Sequence, residues 1–346
     1  MDVKKIFYSP LKASEVLTTA SSSEESGYTP LPLRHLTAGA EVPFNLYLKV
    51  KNADDPKPRI LLMCAAGNKL DNLYYVKLVQ LKIVNLYFAS TDLEKVIEYL
   101  EQRKDNFLSS AEHSSVEKAV LVYDLMQNWT KSFFAADKSR LGSQLKLSLK
   151  SIDDLVGLIK QEVKPNEFVF NIRRFNADLY SHSLNVCMMG LAFVNHLNWS
   201  PFKIKEFGLG GLLHDIGMTE IPQNLLNKAT PLTPDERHQI ERHPNNSARI
   251  LKGLNCLGMQ SMLMVQQHHE NGDGSGYPQG LKLAEINPWA QILRIIDSYE
   301  AVTSPRPWRP ALTPLEALLK MCGEWKQGKI YDPGYLDAFV KFITKK

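Results

Sequence analysis

The chain has 346 residues, 44% of them hydrophobic and 23% charged, which excludes disorder throughout and is enough for two or three domains with cores of their own. Lys plus Arg at 41 against Asp plus Glu at 37 leaves a net charge of +4, too small a surplus to argue for a nucleic acid polymer or an anionic membrane as partner. No run approaches the roughly 20 apolar residues of a membrane span, MDVKKIFYSP lacks the apolar core of a signal peptide, and Cys64, Cys187, Cys256 and Cys322 form no CxxC pair. The expectation is a cytoplasmic protein with reduced thiols and no membrane insertion.

In chain order, Thr18 to Gly27 (TTASSSEESG) closes a flexible lead-in over 1–27. Phe44, Leu46, Leu48 and Val50 alternate with Asn45, Tyr47 and Lys49, which predicts a strand facing a core. Asn52 to Pro58 reads as a turn and Arg59 to Ala66 as the returning strand of a hairpin. A short helix over Leu70 to Leu81, a strand over Val84 to Ala89 and a helix opened by Thr91, with Glu94 in capping-box position, complete a small α+β domain over 28–110. Two helical stretches from Ser114 to about Lys160, the first apolar at Trp129, Phe133 and Phe134, form a connector over 111–165 suited to passing on a signal or to pairing two copies as a homodimer. His35 and His113 stand alone and read as structural.

The remainder, 166–346, is different in kind. Seven of the nine histidines lie between His182 and His269. His182 shares a helical face with Val186, Met189 and Phe193 in the helix predicted for Asp178 to Leu197, so it points inward. The apolar run FGLGGLL carries His214 and Asp215 out of the interior, and Gly217 lets the chain turn. His243 ends an amphipathic segment opened by Thr233, with Pro244 as its stop. The doublet His268-His269 closes a helix from Met259 to Gln267, after which NGDGSGYP is a glycine-dense loop whose amides could approach a ligand. Asp297 follows in a last helical stretch. His196 and His238 read as structural and solvated. Imidazole gives one lone pair to a cation and a carboxylate can bridge two, so five histidines and two aspartates suffice for a metal pair.

These residues carry a resemblance. HDIGM at His214 to Met218, IERHP at Ile240 to Pro244, HHENGDGSGYP at His268 to Pro278 and IIDSYEAVTSPRPWR at Ile295 to Arg309 resemble, in that order, the signatures of the HD-GYP domain, a branch of the HD phosphohydrolases that cleaves cyclic di-GMP. The resemblance runs from about Phe175 to Phe342 and implies a mainly α chain: an all-α HD-type helical bundle behind the small α+β domain. The first half resembles the β-rich modules that precede such domains, which implies a regulatory or dimerising role by analogy. By resemblance one metal is held by His182, His214, Asp215 and Asp297 and the other by Asp215, His243, His268 and His269, with His214 and Asp215 the catalytic doublet. Asp178, a turn before His182, stands where family members with a third metal carry a carboxylate; a charge at a helix N-terminus is the other reading. Gly276, Tyr277, Pro278, Arg306 and Arg309 fall at the family's substrate-binding positions, and Trp308 replaces its usual Tyr.

The chemistry implied is phosphodiester hydrolysis by two or three divalent ions, which activate water and neutralise charge on the phosphoryl oxygens. Nitrogen and oxygen ligands favour Fe or Mn, with Zn open. The product is pGpG, with GMP further along. One departure stands out: the family reads HDxGK, and here the lysine position is Met218, so one phosphate contact is missing unless Lys228 or an arginine supplies it. Two alternatives stay open: a metal-containing cyclic dinucleotide receptor that signals by shape, and a phosphohydrolase of another nucleotide.

Overall fold

The computed structural model describes residues 27–52, 55–134, 141–172, 179–226, 228, 230–305 and 309–345. The chain divides into two compact units at His113/Ser114.

In the first unit, β1 (Tyr28–Pro32), β3 (Leu46–Asn52), β4 (Asp55–Cys64) and β6 (Asn85–Ala89) form an antiparallel sheet in the order β1-β6-β3-β4, and β2 (Glu41–Val42) pairs with β5 (Asn68–Lys69). Leu46, Leu48 and Val50 are buried as the alternation predicts, packing with Leu31, Phe44, Leu86 and Phe88 into the core. The expected turn over Asn52 to Pro58 is shorter: Asn52 already pairs with Asp55 and the returning strand begins there. Helix α1 (Asn72–Gln80) is capped by Asp71, whose carboxylate accepts from the amides of Leu73 and Tyr74. Helix α2 (Leu93–Ser109) starts later than expected, because Ser90–Asp92 is a 3-10 turn; Thr91 lies inside it, and the capping box with Glu94 does not form. β1 had no counterpart in the sequence reading, since its two prolines mask the alternation.

The second unit is all helix in its regular elements: α3 (Ser115–Phe134), α4 (Leu141–Gln161), α5 (Pro165–Ile172), α6 (Leu179–His196), α7 (Pro201–Leu213), a 3-10 turn over Ile216–Glu220, α8 (Gln223–Leu226), α9 (Pro234–Ile240), α10 (His243–Leu254), α11 (Met259–Gln267), α12 (Pro288–Thr303), α13 (Pro314–Gly328) and α14 (Pro333–Thr344). Helices α3 and α4, expected as a connector, belong to this unit and pack on α6 and α7, burying Val122, Tyr123, Leu125 and Met126 from one and Ile152, Leu155 and Ile159 from the other. Trp129, Phe133 and Phe134 have side chains outside the described residues. Helix α6 is buried on every side from Ser181 to Val194, not on one face alone, which makes it the axis of the bundle. Around it Phe193 meets Phe339 edge-on and Phe342 at a tilt, and Trp199 meets Phe207 edge-on and Trp289 at a tilt. Thr233 caps α9 in a full capping box with Glu236. Pro244, expected to stop a helix, sits in the first turn of α10 instead, where its missing N–H leaves no bond unmade. No described helix is long and apolar enough to cross a membrane.

Candidate metal centre

Five segments distant in sequence place the site. His182 projects from the first turn of α6, His214 and Asp215 leave the end of α7, His243 opens α10, His268 and His269 follow α11, and Asp297 lies in mid-α12. Two groups of ligand atoms converge, Asp215 with His243, His268 and His269, and His182 with His214 and Asp215, each with all atoms within 4.8 Å of one another. Asp215 belongs to both. Asp297 joins the second group through its Oδ1, 3.1 Å from His182 Nε2, and lies 3.9 Å from His269 Nδ1.

Three of the imidazoles are oriented by the turn that precedes them. The Nδ1 atoms of His214, His243 and His268 lie 2.8, 2.7 and 2.7 Å from the carbonyls of Gly211, Ile240 and Val265, each three residues back. A carbonyl only accepts, so Nδ1 carries the proton and Nε2 presents a lone pair inward. His243 Nε2 and His268 Nε2 then face each other at 3.3 Å, with Asp215 Oδ1 3.2 and 3.6 Å away. Lone pairs gathered this closely repel unless a cation lies among them. The buried atoms His214 Nε2 and Asp215 Oδ1 have no hydrogen-bond partner, which suits atoms that would bind a cation. The donor set of imidazole nitrogen and carboxylate oxygen, without sulfur, fits a divalent transition metal.

His182 is held differently. Its Nδ1 meets Glu300 Oε2 at 2.6 Å, and Glu300 Oε1 accepts from Asn185 Nδ2 at 2.9 Å and from Ser304 Oγ at 2.6 Å. Asn185 Oδ1 in turn accepts from the Tyr123 hydroxyl at 3.0 Å, so a chain of hydrogen bonds reaches the ligand from α3. Burial alone would depress the His182 ring, but Glu300 and Asp297 reverse it and hold it well above its ordinary value. Burial lowers His214 to about 4, leaving its ring neutral, as a ligand must be. Burial would raise Glu300 and Asp215, yet His182 brings the first down to about 2, while His214, with His243 and His268, holds the second well below the carboxylate range.

The glycine-dense loop is pinned beneath the His268-His269 doublet. Buried Glu270 accepts from the amides of Gln279 at 2.7 Å and Leu281 at 3.0 Å, and Tyr277 N donates to His269 O at 3.2 Å. Gly272 N donates to Ile330 O and Gly274 N to Asn271 O, so those amides are engaged within the protein and not turned to a ligand. A Cβ on Gly276 would stand 2.2 Å from Asn271 N, which explains the glycine. Pro278 follows, and the Tyr277 ring lies 4.7 Å from that of His269 and 6.1 Å from that of His243.

A cavity of about 730 Å³ opens beside the ligands, walled by His182, Asp215, His269 and Asp297 and, farther out, by Met218, Arg294, Lys320, Glu324 and Tyr331. Gly276, Tyr277, Pro278 and Arg309 are not in that wall. Arg309 donates to the carbonyls of Ala301 at 2.7 Å and Val302 at 2.9 Å, closing the end of α12. Lys228 is paired with Glu236 at 2.5 Å, also away from the wall. Asp178, Arg306 and Trp308 lie outside the described residues. Glu300, Asn185, Arg294 and Lys320 escaped the sequence reading; the first two stand three residues from Asp297 and His182, so helical spacing was the available signal.

Residues 176–334 match the HD domain family. The four blocks and the converging side chains described above lie within that match and are similar to those of HD-GYP proteins. Among curated proteins the chain is similar to a cyclic di-GMP phosphodiesterase of Pseudomonas aeruginosa, 37% identical over 55% of this chain and 46% of that one. It is also similar to a cyclic di-GMP phosphodiesterase of Thermotoga maritima, 34% identical over 47% of this chain and 44% of that one. A 3'3'-cGAMP-specific phosphodiesterase of Vibrio cholerae is 32% identical over 47% and 37%. The chain thus spans under half the length of these relatives. Among solved structures an HDG"Y"P protein of Bdellovibrio bacteriovorus matches with a TM-score of 0.66 over 91% of this chain and 99% of that one; at 18% identity this is likeness of fold.

Proposed function

We propose that this chain is a metal-dependent phosphodiesterase that opens cyclic di-GMP to linear pGpG, with onward cleavage to GMP where Asp178 contributes to a third ion. One observation carries the reading: imidazole nitrogens and carboxylate oxygens converge in two adjoining groups that share Asp215, beside a cavity of about 730 Å³. Asp215, His243, His268 and His269 would hold one divalent ion, Fe or Mn before Zn, and His182, His214, Asp215 and Asp297 the other. Bound there, such ions make a water acidic enough to attack phosphorus and neutralise charge on the phosphoryl oxygens. The chain's own residues fix the geometry. Backbone carbonyls hold three imidazoles in one tautomer, Glu300 does the same for His182, and Tyr277 covers the His243 and His269 side. The first unit is proposed to regulate the second or to pair two copies, in the cytoplasm.

Incubation of the metal-loaded protein with cyclic di-GMP, followed by chromatography, is expected to yield pGpG; binding without product under Fe, Mn and Zn would establish a receptor instead. Met218 in the cavity wall supports that second reading, since a thioether brings no charge to a phosphate. The cGAMP-specific relative makes 3'3'-cGAMP the comparison substrate.

A further inference from the structure

Among the described residues the cavity wall contains two side chains of fixed positive charge, Arg294 and Lys320, on different helices. Arg294 lies one helical turn before Asp297 on α12. Its Nε donates to Asn271 Oδ1 at 3.1 Å and one terminal nitrogen to Ser298 Oγ at 3.1 Å, while the same nitrogen is 3.9 Å from Asp297 Oδ2, too far for a hydrogen bond. Two polar side chains therefore aim a guanidinium whose other terminal nitrogen remains available beside the metal ligands. The ring of Tyr331 lies 5.9 Å from its central carbon. The Tyr331 hydroxyl donates to Glu324 Oε2 at 2.9 Å, and Glu324 pairs with Lys320 on α13. The wall thus carries a row of side chains from Arg294 at the ligands to Lys320, whose side chain is 46% exposed. An exposed i,i+4 ion pair is weak and gives way readily to a phosphate.

A cyclic dinucleotide has two phosphodiesters on opposite sides of its ring, and cleavage at a metal pair engages one at a time. The other anion sits in the same cavity and needs a cation of its own. We infer that Arg294 and Lys320 are phosphate contacts of this cavity, Arg294 at the diester beside Asp297 and Lys320 at the second diester. The inference rests on the phosphodiesterase reading and names how that site distinguishes a ligand with two phosphates from one with a single phosphate. Both are substrate-binding residues, and Arg294 suits the reacting phosphate because its available terminal nitrogen carries a fixed charge beside Asp297.

Calorimetric titration of the full-length, metal-loaded chain with GMP, which has one phosphate, and with pGpG, which has two, tests it. Loss of a charge-assisted bond predicts that Arg294→Ala weakens both ligands by about tenfold or more at unchanged metal content. Lys320→Ala is expected to weaken pGpG by about fivefold and leave GMP as in wild type, with Lys320→Arg restoring it. For cyclic di-GMP turnover both alanine variants should raise KM more than they lower kcat. Wild-type pGpG affinity in either variant overturns the assignment of that residue. So does an Arg294→Ala protein that sheds its metal, unless Arg294→Lys, which keeps the charge, retains metal yet still binds weakly. A wild-type protein that turns over cyclic di-GMP while both variants match it sinks this inference alone. One that neither binds nor hydrolyses the cyclic dinucleotide sinks the phosphodiesterase reading, and the inference with it.

Discussion

Glu300 is a side chain on which several buried polar groups depend. His182, Asn185 and Ser304 all spend a hydrogen bond on its two oxygens, and its exposure is 1%. Glu300→Ala would strand all three, and breaking a buried charged pair in this way costs about 3–5 kcal/mol. The loss of orientation at His182 is expected to weaken metal binding by about 10–100-fold. Thermal melting and elemental analysis of the variant check both, and Glu300→Gln should recover much of the stability and less of the metal. Asp215→Ala is expected to lose most of both ions, since one carboxylate serves two ligand groups; metal-free protein with full activity would overturn the site. At Met218 a lysine would add a charge-assisted contact of about 1.5–3 kcal/mol, so Met218→Lys is expected to tighten cyclic di-GMP about tenfold with unchanged metal. Unchanged affinity would mean that residue 218 does not face the substrate.

At the level of elements, the turn from α7 into the 3-10 segment decides whether Asp215 meets His243. Gly217 packs so closely on α10 that a Cβ there would stand 2.2 Å from His243 O and 2.5 Å from Ser247 N, while its own amide donates to Ser247 Oγ at 2.8 Å. Neither backbone atom can step aside cheaply. Gly217→Ala is therefore expected to cost about 1–3 kcal/mol through overpacking, and, because the same strain displaces a ligand, to lower metal content, read by calorimetry and elemental analysis. Such local features were legible in sequence where the signal is local: α11 ends at Gln267 and Thr233 caps α9, as the spacing predicts. The histidines that converge in the candidate site were legible because their residue type is chemically narrow. What stayed hidden depends on partners remote in the chain. Glu300 reads as one more helical acid until His182, 118 residues earlier, is folded against it. Arg294 and Lys320 carry no motif and acquire meaning from the cavity they share.

For the whole molecule, the boundary at His113/Ser114 sets where the chain can be cut. A protein beginning at 114 retains α3 and α4 and is expected to fold and hold metal. One beginning at 166 exposes the bundle surfaces that Val122, Tyr123, Met126, Ile152, Leu155 and Ile159 cover, each worth about 1.5–3 kcal/mol when buried, and loses the Tyr123 end of the hydrogen-bond chain to His182. It should aggregate or melt tens of degrees lower, as circular dichroism would show; a shorter piece as stable as the longer would remove α3 and α4 from the domain.

The facing lone pairs of His243 and His268 have a consequence beyond catalysis. With an ion bound as proposed, groups from five chain segments that would repel one another when bare would be drawn together, and part of the free energy of folding would be held outside the polypeptide. An ion at a hundred times its dissociation constant adds about 2.7 kcal/mol to the folded state. A chelator is expected to lower the melting transition of 114–345 while leaving that of 28–113 in place. On the proposed function, then, a cell short of transition metal is expected to lose first the amount of this protein that survives proteolysis, before the turnover of the molecules that remain.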